Sequence, residues 1–308
     1  MFDQELFDDA RREFLSHLRY SKGHRPTTCY AYNSDLGIWG AWLVEAGKDW
    51  QTVKYPDVEQ FAAWQLRDRG VSPAIVNRRL SALSTFYRWL LRGGLVDHDP
   101  VALAQKPKRP LRIPVWLERE EQAQLEATIR DRRNIPINVF GRNQKRMTET
   151  RRRYEMLFGL LLNSGLRISE ALGLKGQDVR LVEGLAKSVR VIGKGNKERW
   201  VPLPAAFGQV FGFWLKDRPK GEAVFAKADG KPISPQAARA YLRGMLEKAG
   251  IEKKISPHKL RHTYATNLLN AGAELVDIKA LLGHESVATT QIYTNVGQER
   301  MEKVVGRL

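Results

Sequence analysis

The strongest constraint on the fold of this 308-residue chain is a basic segment at residues 105–114 that holds three prolines. Proline fixes the backbone φ angle and lacks an amide hydrogen, so neither an α-helix nor a central β-strand can continue through such a segment. We expect an extended linker here. It separates a first domain at residues 1–104 from a second at residues 115–308, and each part is long enough to bury its own hydrophobic core.

The first part of the chain has the pattern of a helical bundle. Apolar residues at 7–18 and 32–43 recur with the period of about 3.6 that is typical of an amphipathic helix. A third helix is expected to follow. Ser72 and Pro73 have the order of an N-cap and a first helical residue, and the helix that they open ends at Gly93. Its apolar side is predicted to comprise Ile75, Leu80, Leu83, Phe86 and Leu90.

The second part of the chain has a mixed pattern. Alternating apolar and polar residues at 187–203 predict a β-hairpin that turns at residues 193–196. Residues 132–150 are strongly basic and lack a period, so we expect a loop there. Helices are predicted at residues 117–131, 153–163, 168–173, 205–216, 234–249, 257–271, 274–282 and 286–294. The fold class is therefore mainly α with a small β-sheet.

The formal net charge of +17 implies a polyanionic partner, which is either nucleic acid or an anionic membrane surface. No apolar stretch approaches the ~20 residues of a membrane-spanning helix, and the acidic start of the chain is unlike a signal peptide. The single cysteine, Cys29, excludes an internal disulfide. We therefore expect a cytosolic protein that binds DNA. The candidate DNA-binding side chains are Arg78, Arg79, Lys106, Lys108, Arg109, Arg239 and Arg243.

Residues 256–261 combine a helix start with two groups that suit a phosphate. Ser256 and Pro257 predict an N-cap and a first helical position. His258 and Arg261 then share one helix face. A helix N-terminus attracts anions, an arginine fork binds two phosphoryl oxygens, and a histidine can transfer a proton. Taken alone, the segment is better interpreted as a surface helix cap with an incidental arginine and histidine.

Two further cations become significant only in combination. Arg167 follows a glycine-terminated helix and, by itself, is typical of a salt-bridge partner. A metal-free attack on a phosphodiester adds negative charge to the equatorial oxygens, however, and a second guanidinium would offset that charge. Lys194 lies in the predicted hairpin turn, where charged residues are common. Its ammonium is also suited to protonate a departing 5′ oxygen, and Lys197 is the competitor in the same turn.

His284 and Tyr293 would complete a phosphoryl-transfer site. His284 follows Gly283, which is expected to end a helix at the C′ position. Tyr293 lies on the next predicted helix. Taken singly, the first is compatible with a solvated loop histidine and the second with core packing. A phenol has an unperturbed pKa near ~10, so as a nucleophile it needs cationic neighbours or a proton acceptor. Such a site requires no metal and no cofactor.

These residues together resemble the active-site set of the tyrosine recombinases (phage-integrase family), and the match is more similar to bacterial Xer-type recombinases than to phage integrases. The strings SGLRISEALGL, GKGNKERWVPLP, PHKLRHTYATNLLNAGA and LLGHESVATTQIYTNV carry the resemblance. It covers residues 115–296 specifically and residues 1–104 less so. The resemblance implies a C-shaped DNA clamp, in which a four-helix, SAM-like core-binding domain and a mixed α/β catalytic domain grip opposite faces of the duplex.

The resemblance also implies a role for each residue. Tyr293 would attack the scissile phosphate and give a 3′-phosphotyrosyl link with a free 5′ hydroxyl. Arg167 and Arg261 would hold the non-bridging oxygens. Lys194 would protonate the leaving oxygen.

For the two histidines, the resemblance implies that His258 acts as acid or base near the nucleophile and that His284 hydrogen-bonds the phosphate. A dimer would bind each core site, and a tetramer would exchange strands through a Holliday junction, alone or with a paralogous recombinase. Because the covalent link conserves the phosphodiester energy, neither ATP nor a metal is required.

Two features depart from the Xer pattern. The basic segment at 132–150 is longer than expected, and we interpret it as extra DNA contacts or a protomer interface. Only 15 residues follow Tyr293, which is short for a helix that docks on a neighbouring protomer. We also expect no module for the arm-site binding typical of some integrases ahead of the core-binding domain, which favours a simple, symmetric core site.

Resolution of chromosome or plasmid dimers, and hence a role in chromosome partition and the cell cycle, is the favoured function. Integration or excision of a mobile element is the alternative within the same chemistry. Relaxation of the type IB topoisomerase kind uses the same nucleophile without synapsis. A DNA-binding protein that keeps the fold but not the reaction would have a damaged site, and no candidate position is vacant.

Overall fold

The structure is a computed structural model that describes residues 2–108, 114–131, 144–193, 198–216, 218, 221–227 and 229–283. Within the helix that begins at Gln144, side chains are described from residue 149 onward. The chain divides into two compact units, Met1–Arg112 and Ile113–Leu308. The division falls within the segment that the sequence predicts as a linker.

The first unit is helical, as predicted. Its helices are α1 (Gln4–Ser16), α2 (Pro26–Glu45), α3 (Tyr55–Arg67) and α4 (Pro73–Arg92), and a π-helical turn, His17–Ser21, extends α1. Ser72 is the N-cap residue of α4 and Gly93 its C-cap, as the sequence indicates. One expectation is wrong: Ile75 is 40% exposed, and Val76 is the buried residue of that turn.

Aromatic side chains fill the core of the first unit. Phe14 and Phe86 meet edge to face with ring centroids 5.2 Å apart, and Trp39 and Phe61 do so at 4.9 Å. Tyr87 is buried among them, and its hydroxyl satisfies two neighbours because it accepts from Trp39 Nε1 and donates to a backbone carbonyl. Rings in such tilted contacts contribute beyond their buried area.

The chain after α4 is tied back to that helix. Asn77, which is 5% exposed, donates from Nδ2 to the carbonyl oxygen of Pro107 at 3.0 Å. Lys106 and Lys108, on either side of this proline, are exposed. The first residues of the predicted linker are thereby part of the first unit.

The second unit contains helices and a small sheet, and one of these helices packs on the middle strand. Its helices are α5 (Arg119–Arg130), α6 (Gln144–Ser164), α7 (Ile168–Gly173), α8 (Ala205–Leu215), α9 (Pro235–Lys248), α10 (Pro257–Asn270) and α11 (Leu275–Leu282). Its strands are β1 (Val179–Val182), β2 (Leu185–Ile192) and β3 (Glu198–Pro202), and a 3-10 turn, Gly176–Asp178, precedes them.

The prediction of a loop at residues 132–150 is partly wrong. Residues 144–150 belong to α6, because Gln, Lys, Arg, Met and Glu all favour the helix and extend it upstream of its apolar turns. Residues 132–143 lie outside the described residues. The predicted helix at 286–294 lies outside them as well.

The predicted hairpin is confirmed as β2 and β3, which pair antiparallel with Val189 opposite Val201. The sheet has a third strand, since β1 pairs antiparallel with β2 in the order β1-β2-β3. Mainly helical structure with a small sheet is therefore the observed fold class.

One core holds the second unit together, and it positions α10 against α6. Leu160, Leu161 and Leu260 are fully buried in it. A smaller cluster, which includes Tyr264 and Leu282, packs α11 on α10. Among the described residues, no helix has the length and apolar character needed to span a membrane.

Candidate active site

The site is assembled around one buried carboxylate, Glu170. Arg167 is the N-cap residue of α7 and Glu170 is its third helical residue, so the two form a capping box. The backbone nitrogen of Arg167 donates to Glu170 Oε2 at 2.8 Å, and its Nη1 donates to Oε1 at 2.8 Å. Arg167 remains 38% exposed, whereas Glu170 is 6% exposed. The carboxylate therefore orients a guanidinium that still faces solvent.

Arg261 approaches the same carboxylate from α10. Its Nη1 lies 3.9 Å from Glu170 Oε2 and donates to the carbonyl oxygen of Gly165 at 2.9 Å. Its Nη2 donates to the carbonyl oxygen of Leu282. The side chain is 1% exposed, so these carbonyls and the carboxylate compensate the loss of water around the charge. The two candidate phosphate-binding arginines thus lie at one site.

Arg199 on β3 is the third guanidinium at this carboxylate. Its Nη1 donates to Glu170 Oε1 at 3.2 Å and its Nη2 to Oε2 at 3.0 Å. Its Nε donates to the carbonyl oxygen of Leu281 at 3.2 Å. Burial by itself would raise the pKa of the Glu170 carboxyl, but the hydrogen bonds and charges of Arg199 and Arg167 outweigh it and hold the pKa below its usual value.

His258 occupies the first turn of α10, behind Ser256 and Pro257 as predicted. His258 is exposed at the surface, but the loss of solvation around its imidazole, followed by the charges of Arg261 and Arg167, lowers its pKa below the usual value. The imidazole is therefore neutral at pH 7 and suited to accept a proton. His258 and Arg261 lie three residues apart on one face of α10, so His258 belongs to the same site.

A second imidazole lies next to it. His262 is one turn further along α10, and its ring meets that of His258 edge to face with centroids 4.9 Å apart. Burial, followed by the charges of His258, Arg261 and Lys259, lowers the pKa of His262 to about 4.

Three of the six predicted catalytic residues, Lys194, His284 and Tyr293, lie outside the described residues. For Lys194 and His284, the chain up to the preceding residue is described. Ile192 ends β2 and Glu198 begins β3, so Lys194 lies in the connection between the two paired strands. Gly283, directly before His284, ends α11 with φ 65° and ψ 51°, the left-handed conformation that glycine favours.

The candidate DNA-binding residues differ in exposure. Arg78 is 49% exposed and Arg79 14% exposed, and both pair with Asp35, which is 2% exposed. Arg79 Nη1 also donates to Gln65 Oε1 at 2.7 Å. Arg239 and Arg243 are exposed on α9, and Arg109 lies outside the described residues.

The sequence predictions missed Glu170 and Arg199. A signal for Glu170 was present, because a glutamate three residues after a helix N-cap is a capping-box pattern. Arg199 also carried a signal, since it occupies the inward position of an alternating strand, where an apolar residue is expected.

Comparison with known families gives two matches. The phage integrase family matches residues 142–300, and the family described as phage integrase, N-terminal SAM-like domain, matches residues 12–94. A tyrosine recombinase XerD from Ralstonia nicotianae is 35% identical over 302 residues, which cover 95% of this chain and 91% of that protein. A tyrosine recombinase XerC from Halalkalibacterium halodurans is 33% identical over 303 residues and 94% of each chain.

Solved structures share the fold. The XerH site-specific recombinase bound to a palindromic difH substrate, in a post-cleavage complex, has a TM-score of 0.72 at 20% identity, with 91% of this chain and 79% of that chain covered. A lambda integrase dimer bound to a COC′ core site has a TM-score of 0.70 at 16% identity, with 94% and 78% covered.

Proposed function

Because the chain belongs to the phage integrase family of tyrosine recombinases, we propose that it is an Xer-type site-specific DNA recombinase that cuts and rejoins DNA through a 3′-phosphotyrosyl intermediate. The observation that carries the proposal is the convergence of Arg167 and Arg261 at Glu170, with His258 three residues before Arg261 on α10. Two guanidinium groups beside a neutral imidazole are what a metal-free attack on a phosphodiester requires.

The first step transfers the phosphate from a DNA oxygen to a tyrosine. The phenolic oxygen of Tyr293 forms a bond to phosphorus while the bond from phosphorus to the 5′ oxygen breaks. Negative charge rises on the non-bridging oxygens, and Arg167 and Arg261 offset it. Strand exchange is the reverse step, in which the 5′ hydroxyl of a partner strand attacks the phosphotyrosine.

Two proton transfers balance this step. Neutral His258 accepts the phenolic proton of Tyr293, a role that its lowered pKa supports. The ammonium of Lys194 gives a proton to the departing 5′ oxygen, and His284 donates a hydrogen bond to the phosphate. Arginine and lysine side chains supply the positive charge for these roles, so the proposed reaction needs no metal ion.

The partner is a double-stranded DNA core site, in keeping with the net charge of +17. We assign a dimer to each site and a tetramer to the synapsed sites, with or without a paralogous recombinase. The reaction serves the resolution of chromosome or plasmid dimers in the cytoplasm, on the nucleoid. Relatives named XerD and XerC that match more than nine-tenths of the chain support this assignment over that of an element integrase.

The test is covalent capture of the chain's own site. Nicked duplex fragments of the source chromosome are incubated with the protein in EDTA, denatured in detergent, and the DNA that stays attached to protein is sequenced. We expect one recurrent core site with the wild-type chain and none with Tyr293→Phe. Tyr30→Phe, at a tyrosine that is 76% exposed, is the matched control and retains the adduct.

An adduct formed by Tyr293→Phe would refute the nucleophile, and cleavage that requires Mg²⁺ would refute the mechanism. The position of the captured site, in the chromosome itself or at the ends of a mobile element, separates dimer resolution from integration.

A further inference from the structure

Arg199 is a charged residue at a largely buried position of β3, where loss of solvation destabilises a charge. Its strand neighbours are exposed, Glu198 at 54% and Trp200 at 52%, whereas Arg199 is 16% exposed and shares its face of β3 with the fully buried Val201. A cation at such a position loses solvation, so it persists only where its hydrogen bonds are satisfied.

The partners of Arg199 come from two other parts of the chain. The fork of Nη1 and Nη2 binds both oxygens of Glu170 on α7, 29 positions earlier, and Nε binds the carbonyl oxygen of Leu281 at the end of α11, 82 positions later. The guanidinium also lies against Gly283, where an added Cβ would be 3.2 Å from its Cζ. A bidentate pair of this kind fixes orientation as well as distance.

Each segment that Arg199 joins leads directly to a candidate catalytic residue. Its own hairpin contains Lys194 in the connection between β2 and β3. Arg167 is the N-cap residue of α7, and the end of α11 precedes His284. We propose that Arg199 is a positioning residue, which fixes the hairpin of Lys194 against α7 and the end of α11 and so sets the place of the general acid relative to the phosphate-binding arginines.

The geometry argues against a direct role of Arg199 at the phosphate. Both ends of its fork face Glu170, and the side chain is 16% exposed, compared with 38% for Arg167 on the same carboxylate. Lysine cannot replace it, because one ammonium on a flexible stem does not reproduce a planar fork with an additional Nε donor.

The inference rests on the proposed function, and the leaving group of the reaction tests it. Cleavage is measured in a single turnover on a nicked duplex that carries the captured core site, with either oxygen or sulfur as the bridging 5′ atom. A 5′ thiolate departs without protonation, so sulfur removes the need for a general acid. A merely structural defect slows both substrates alike.

We expect Arg199→Lys and Arg199→Ala to slow cleavage of the oxygen substrate by about 100-fold, the usual contribution of a general acid. On the sulfur substrate, both variants regain most of the wild-type rate. Arg261→Lys is slow on both substrates, because its defect concerns charge on the non-bridging oxygens. Arg190→Ala is the matched control: Arg190 lies on β2, pairs with Asp178 at 2.8 Å, and leaves both rates unchanged.

Equal slowing of the Arg199 variants on the two substrates, or no slowing at all, would overturn the inference while the proposed function stands. If the wild-type chain forms no adduct with either substrate, the proposed function itself fails. The lysine variant keeps the charge at this buried position, so the comparison does not depend on the folding of Arg199→Ala.

Discussion

The carbonyl oxygen of Gly165 accepts a hydrogen bond of 2.9 Å from Nη1 of Arg261, although 96 positions separate the two residues in the chain. Gly165 follows the end of α6 with φ +61°, and Arg261 lies in the second turn of α10. The bond therefore sets α10 against the turn that leads to Arg167. Backbone carbonyls hold Arg261 and the Glu170 carboxylate holds Arg167 before any substrate binds, which is the condition for electrostatic preorganisation.

Gly165→Ala should disrupt this arrangement. A Cβ there would lie 2.3 Å from Tyr264 Cδ1 and 2.7 Å from Leu282 Cδ2, in addition to the cost of a positive φ. We expect the free energy of unfolding to fall by about 2–4 kcal/mol in urea titrations of the full-length chain. Gly250→Ala is the control, since Gly250 has φ +66° with nothing within 4 Å, and it should lose only about 1 kcal/mol. Equal losses at the two positions would contradict the packing argument.

Glu170→Gln removes the charge that Arg167 and Arg199 share while it preserves the shape of the side chain. We expect single-turnover cleavage to slow by roughly 10- to 100-fold, because the guanidinium groups lose their fixed positions. DNA binding should change little. Glu121→Gln is a matched control, because Glu121 accepts a bond from the Glu118 backbone at the equivalent position of α5. Cleavage at the wild-type rate in Glu170→Gln would show that the carboxylate does not position the site.

The rate of cleavage should depend on pH through His258. Its pKa is lowered, first by loss of solvation and then by Arg261 and Arg167, so the base is deprotonated below the usual histidine range. We expect the rate to rise with pH along an acidic limb whose midpoint lies below 6.5, the ordinary value for histidine. His258→Gln should lose this limb. A midpoint above the ordinary value would contradict a neutral His258 in the free protein.

The stability of the fold should depend on pH through His262. Its pKa of about 4 in the folded chain lies below the ordinary value of 6.5, so the unfolded chain binds more protons between these values. Stability is therefore complete above pH 6.5 and is lost progressively as the pH falls toward 4. From this one residue the loss is on the order of 2 kcal/mol. Urea titrations at pH 7.5 and 5.0 should show a smaller difference for His262→Asn than for the wild-type chain. An undiminished difference would assign the effect to other groups.

Arg78 and Arg79 should have separable roles despite their shared partner, Asp35. Arg79→Ala leaves the buried Asp35 and Gln65 without the guanidinium that both contact, so it should lower the free energy of unfolding by about 2–4 kcal/mol. Arg78→Ala, at the more exposed arginine, should weaken binding to a random-sequence duplex and reduce the slope of log affinity against log salt by about one. The reverse pattern would place Arg79, and not Arg78, at the DNA.

Local signals in the sequence predicted much of the fold. Proline after serine marked the starts of α4 and α10, and glycine marked the ends of α6 and α11, because these residues act on the backbone through their own conformational limits. The missed strand β1 is followed by a turn that the sequence marks only by a glycine. Glu183 and Gly184 both adopt positive φ, which is the turn of a two-residue hairpin.

The features that the sequence did not reveal are contacts between residues that lie far apart in the chain. Nothing near Arg199 indicates that its fork binds Glu170, and nothing near Arg79 indicates that Asp35 and Gln65 bury it. The candidate catalytic residues were recognisable by type and order. The role of Glu170, the carboxylate that contacts three guanidinium groups, was not recognisable. Tertiary packing, and not local sequence, decides where a charge is buried.

The hydrogen bond from Asn77 to the carbonyl oxygen of Pro107 has a consequence for how far the linker reaches. Because Pro107 is held on α4, the residues of the linker before it do not contribute to the free connection between the two units. The remaining connection, from Pro107 to Pro114, spans at most about 25 Å when fully extended. With one unit on a duplex, a tether this short keeps the other unit at an effective local concentration of roughly millimolar. We expect Asn77→Ala to lengthen this connection without removing a charge. The affinity of the whole chain for DNA should then fall only because the effective concentration of the second unit is lower.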